Sequence, residues 1–141
     1  VVEQALGPLL VRLAGVMQEA AGEDDLAPRL AVLYFDFLSK ERELQQLLLR
    51  EVLDSSEVLP AIVLRHLVPL RTMFEGRFGR GDAAFQAAVS LFSSVAGYFL
   101  YAPLLSELTG QDPLSHKQLR HRRKHVVQLA DHLAVLYKDQ K

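Results

Sequence analysis

Among the residues able to do chemistry in this 141-residue chain, only a few fall at usable spacings. His121 and His125 stand one helical turn apart, a spacing at which two imidazoles can share a metal ion. No carboxylate lies near them in sequence to complete a ligand set, so no metal site is expected. Around them the run HKQLRHRRKH, residues 116–125, gathers Lys117, Arg120, Arg122, Arg123 and Lys124. Such a run could touch phosphate, but it lacks interleaved aromatics and a groove-reading motif, and it fits charges spread over the solvent side of a helix. His66 lies beside Arg65, whose carbonyl Pro69 leaves unpaired four residues later. An imidazole there could line a cavity, and a histidine bonded to backbone or facing water explains it as well. Arg71 or Glu75 could meet a charged effector, although solvated charge is the plainer account. Asp24 and Asp25 sit where a helix is expected to start, and there negative charge favours the helix dipole without any mechanism. Arg80, Gly81 and Asp82 spell an adhesion tripeptide that a helix stop followed by a cap explains fully.

Catalytic motifs are missing. There is no Gly-x-Ser-x-Gly elbow, phosphate loop, dinucleotide fingerprint or metalloprotease helix, and the absence of cysteine removes thiol nucleophiles, disulfides and thiolate metal sites together. Neither enzymatic activity nor a cofactor is expected. Sixteen Lys and Arg against seventeen Asp and Glu give a formal charge of -1, which leaves no global excess to hold nucleic acid nonspecifically. The longest apolar runs, such as Leu47 to Leu49, fall far short of the roughly 20 residues that span a bilayer. A soluble, cytoplasmic protein of one domain, residues 1–141, is expected. The sequence opens at Val1 inside an amphipathic pattern, so a segment N-terminal to it is expected as well.

The elements that must carry these residues read as helices throughout. Val2, Leu6, Leu9, Leu10, Leu13, Val16 and Met17 follow three-and-four spacing toward a stop near Gly22, with Pro8 inside the pattern. Asp24 or Asp25 caps a second helix whose buried face runs through Leu26, Leu30, Leu33, Tyr34, Phe37 and Leu38. A third runs from about Lys40 to Leu53, and Asp54 with Glu57 has capping-box spacing for a fourth, bent at Pro69 and ended by Gly76, Gly79 and Gly81. Asp82 caps the fifth. Pro103 interrupts it, Gly110 ends a short continuation, and Asp112 with Pro113 signals the start of the last helix. No strand pattern and no fixed-period repeat appears. The fold expected is all-α, a single domain of about six helices.

The fifth helix, within DAAFQAAVSLFSSVAGYFLYAPLLSEL, carries two apolar faces. Phe85, Phe92 and Phe99 recur at seven-residue spacing with Ala88, Val89, Val95 and Ala96 between them, the bulky stripe a helix turns to its core. Ala84, Ala87, Ser94 and Gly97 form a second stripe of small side chains on which another helix can approach. Such a helix is either central in one domain or meets a second subunit.

From Leu44 to Asp82, LQQLLLREVLDSSEVLPAIVLRHLVPLRTMFEGRFGRGD, and from Leu100 to Ser115, LYAPLLSELTGQDPLS, the chain resembles the C-terminal domain of TetR-type transcriptional regulators. The resemblance implies a homodimer whose last two long helices pair with their copies in a four-helix interface. It also implies a small apolar or amphipathic effector, and DNA contact only through an N-terminal helix-turn-helix that does not precede Val1 here. The family has no fixed effector motif to carry over.

An effector pocket needs apolar lining and a few polar groups, for which the inward stripes offer Leu13, Met17, Tyr34, Phe37 and His66, then Met73, Phe92, Ser93 and Phe99. Each of these also fits ordinary core packing. For the dimer interface the expected residues are Ala84, Ala87, Ser94 and Gly97 on the fifth helix, with Val126, Ala130, Leu133 and Tyr137 on the last. The alternative expectation is a free-standing helical carrier or protein-interaction module without a DNA-binding role.

Overall fold

The computed structural model describes residues 7–9, 11–13, 15–16, 26–43, 46–47, 50 and 82–138, and of 82–85 and 136–138 the backbone alone. Helix α1 spans Leu26–Lys40, α2 Asp82–Leu100, α3 Ala102–Thr109 and α4 His116–Lys138. Residues 7–9, 11–13 and 15–16 are helical too, as are 42–43, 46–47 and 50. The described residues contain no strand, and α1, α2 and α4 pack against one another. The all-α expectation holds. The expected bent fourth helix, with Pro69 and the glycines that end it, lies outside the described residues, as do the acidic caps at 24 and 25.

Helix α1 is apolar on two sides because its bulky residues fill more than one helical line. Leu26 and Leu30 are buried with Leu9 and Leu13 in one cluster. Ala31, Phe35 and Leu38 turn into the main core with Leu91, Val95, Phe99, Val126 and Ala130. Tyr34 and Phe37 lie between and pack against both clusters. The expected face through Leu33, Tyr34 and Phe37 is therefore half-buried, and the fully buried positions include Ala31 and Phe35, which the simple spacing passed over. A single apolar arc describes a helix with one neighbour; α1 has neighbours on both flanks. It ends where the Glu41 N–H is shared between the Phe37 and Leu38 carbonyls, at 3.1 and 3.3 Å.

On α2 the core line is Leu91, Val95 and Phe99, each four residues after the last. Phe92 is half-buried beside it. Val89, expected inward, is 44% exposed, since six residues before Val95 is roughly 120° round the helix from it. Pro103 does interrupt this helix. Lacking an N–H, it cannot bond the carbonyl four residues back, and the axes of α2 and α3 differ by 64°. No single helix among the described residues is long and apolar enough to cross a membrane.

Helix α3 closes on Gly110, which takes the left-handed conformation at φ 71° and donates its N–H to the Ser106 carbonyl at 2.9 Å. That conformation costs a residue with a Cβ more than it costs glycine. The start of α4 differs from expectation. Asp112 uses its carboxylate locally, accepting the Leu114 N–H at 2.9 Å, and Ser115 is the cap, its Oγ accepting the Gln118 N–H at 3.3 Å. Asp112 and Pro113 thus build the turn before the helix rather than its first residues.

Candidate functional site

Helix α1 and the core side of α2 bring part of the expected effector lining together. Leu13 is buried in the smaller cluster, and Tyr34 and Phe37 pack on it from α1. The Tyr34 and Phe92 rings meet edge to face, with centroids 5.4 Å apart and planes at 72°, a geometry that places a positive ring edge on a negative face. Burial holds the Tyr34 phenol above its ordinary pKa, because a phenolate there would lose its hydration. Phe99 does not join this group. It is buried in the main core, 5.2 Å from the Phe35 ring, and borders a separate cavity of about 440 Å³ with Arg42, Ala102 and Pro113. Ser93 is exposed and faces the opposite side of α2 from Phe35 and Ala31. Met17, His66 and Met73 lie outside the described residues.

The second face of α2 opens on a groove of about 460 Å³ bounded by Ser94, Gly97 and Tyr101, by Leu104 and Leu105 of α3, and by Arg122 of α4. Small residues at positions 94 and 97 leave the space. Tyr101 is 62% exposed and Leu104 56%, so the apolar rim faces water.

Arg122 is the member of the basic run that turns inward. Its Nη2 donates to the Ser94 carbonyl at 2.8 Å, and its guanidinium carbon lies 5.1 Å from the centre of the Tyr98 ring, within cation–π range. Its Nε is buried and has no hydrogen-bond partner. Desolvation lowers the Arg122 pKa, opposed by the Tyr98 phenol nearby. Tyr98 is fixed in turn by donating its hydroxyl to the Pro113 carbonyl at 2.5 Å. Its pKa is raised, first by burial, with Asp112 adding to the rise and Arg122 opposing it. The rest of the run behaves as solvent-facing charge: Lys117, Arg120, His121, Lys124 and His125 are exposed, and Arg123 reaches Asp36 of α1.

The expected pairing surface divides between two environments. Ser94 and Gly97 do line the open groove, and Ala87 is half-buried. Val126 and Ala130 do not reach a surface: both are 0% exposed within the chain's own core, and Leu133 packs against that core. These α4 positions share one face, as their spacing required, but α1 and α2 already cover it. The side chains of Ala84 and Tyr137 are outside the description. On α4 the groove side is marked by Arg122, and Gln118 and Leu129, four before and seven after it, share that side by helical spacing. Sequence reasoning missed Arg122 because it was read as one charge among many. Its only signal was position, four residues before Val126 and therefore on the helical line that continues through the buried Val126 and Ala130.

No protein-family model, no curated protein and no solved structure matches this chain.

Proposed function

We propose that this chain is the effector-sensing and dimerisation domain of a TetR-like transcriptional repressor. A helix-turn-helix elsewhere in the full-length cytoplasmic protein would make the DNA contact. The observation that carries the reading is the double role of α2: its Leu91, Val95 and Phe99 side is buried in the chain's own core, while its Ser94 and Gly97 side lies open along an apolar groove. A long helix of that kind beside another long helix, α4, is what a four-helix seam with a second copy requires. The seam then runs along Ser94 and Gly97 of α2 and the Arg122 side of α4. The effector, a small apolar or amphipathic molecule, enters at Tyr34, Phe37 and Phe92 beside Leu13. It acts only so far as it binds the DNA-competent and released forms with different affinity.

Sedimentation of the chain gives the first test, with a dimer as the expected mass. A thermal-shift screen on the full-length repressor gives the second, since specific binders raise the melting point by mass action. A monomer at every concentration would leave the other reading, a free-standing helical module. The burial of Val126 and Ala130 within one chain favours that reading.

A further inference from the structure

We infer that the groove beside Gly97 is a binding site for an amphipathic monocarboxylate, with the acid group on Arg122 and the apolar chain across Gly97, Tyr101 and Leu104. Two independent features lead there. The first is shape: about 460 Å³ of open space with an apolar lining, within the range that holds small ligands. The second is charge. Among the described lining residues Arg122 contributes the sole charged side chain. It has no carboxylate partner among the described residues and makes one hydrogen bond, to the Ser94 carbonyl. A partly desolvated cation without a counter-charge is costly, and a carboxylate arriving with an apolar tail offsets that cost while covering the groove. One guanidinium matches one acid group; a nucleotide or polyphosphate would need further cations, which the described lining residues do not supply.

This site is distinct from the Tyr34 and Phe92 region, and it rests on the pairing reading in one respect only. The groove lies on the face assigned to the second copy, so its occupant opposes association.

Decanoate is a suitable probe, with decanol as its uncharged match and acetate as its tailless one, titrated calorimetrically into the full chain while sedimentation follows the mass. Saturable binding of decanoate is expected at one site per chain, at least tenfold tighter than either match. Arg122→Gln should weaken it about tenfold, and Arg122→Lys should retain part of the affinity. Gly97→Leu, which fills the groove without touching the cation, should abolish binding. Equal binding of decanoate and decanol, or an Arg122→Gln variant of unchanged affinity, overturns the site. A monomer that binds decanoate through Arg122 overturns the pairing reading and keeps the site. A dimer that shows neither heat nor a fall in mass overturns the site and keeps the pairing.

Discussion

Asp36 and Arg123, on α1 and α4 respectively, are joined by two parallel hydrogen bonds, Nε to Oδ1 at 2.9 Å and Nη2 to Oδ2 at 3.1 Å. This fork clamps the two helices on the flank away from the groove, and it raises the Arg123 pKa, chiefly through the hydrogen bond to Asp36. Both side chains are over a third exposed, so water screens the pair and a contribution of about 0.5 kcal/mol is expected. Asp36→Asn should lower the urea midpoint slightly at low salt and less in concentrated salt. Arg123→Lys, which cannot form the fork, should behave almost the same. A loss that salt leaves untouched would mean that Asp36 acts through packing.

Tyr34 gives the fold an alkaline limit. Its folded pKa is raised by burial above the ordinary 10.0, so the native state holds the phenolic proton more tightly than the unfolded chain does. The resulting stability is complete below the unfolded pKa and drains away as pH rises through the higher folded value. Tyr98 shifts the same way. Urea midpoints should therefore fall above roughly pH 10, and Tyr34→Phe should flatten that fall, with the Tyr34→Phe, Tyr98→Phe pair flattening it further. A Tyr34→Phe profile parallel to wild type would show that the phenol ionises without unfolding cost.

What could be read from the sequence was periodicity, and what could not was the identity of the neighbour. The spacing of Val126, Ala130 and Leu133 put them on one face of α4, and that face is real; whether α1 or a second copy covers it depends on residues more than eighty positions away in sequence, such as Phe35, which shares a buried cluster with Val126. The same limit explains Phe35 and Ala31, which become core only because α1 has a neighbour on each flank. Punctuation was read well where backbone chemistry is local. Gly110 stops α3 through its positive φ and Pro103 breaks the helix before it. The start of α4 was read three residues early because Asp112 and Ser115 offer rival caps, and the bonding partners select Ser115, whose Oγ accepts an N–H of the helix itself while Asp112 accepts one from the turn before it. Arg122 could not be singled out, since what sets it apart is a turn inward onto the Ser94 carbonyl and the Tyr98 ring, which depends on a helix that sequence spacing does not place beside it.

Val126 separates core from seam. Fully buried against α1 and α2, it should cost about 2 kcal/mol when cut to Ala, two methyl groups plus the cavity they leave. Ala130→Leu should cost a similar amount by overpacking. Neither variant should change the affinity between copies once compared at equal folded fraction. Selective loss of association by Val126→Ala, with the melt unchanged, would return this face of α4 to the subunit interface.

Tyr98→Phe removes the bond that ties α2 to the turn before α4 and leaves the Pro113 carbonyl without its phenol donor. A loss of about 1 kcal/mol is expected, together with faster hydrogen exchange at Leu114 and Ser115, whose N–H groups bond within that turn. The ring beneath Arg122 remains, so decanoate binding should survive. If exchange in the turn is unchanged, the hydroxyl bond does not hold it in place.

Gly97 carries the most discriminating pair of substitutions, because helix propensity and pairing move in opposite directions there. A Cβ at this position would meet the Tyr101 ring at 3.8 and 3.9 Å, ordinary contact that asks nothing to shift. Replacing glycine by alanine inside a helix stabilises it by roughly 0.5–1 kcal/mol, so Gly97→Ala should melt higher than wild type. Gly97→Phe adds a ring that the open groove of a single chain can take but that a second helix lying on Ser94 and Gly97 cannot. Its helicity should persist while its sedimenting mass halves. Were Gly97→Phe to keep a dimer mass, the small-residue side of α2 would not be where the copies meet, and the groove would belong to its ligand alone.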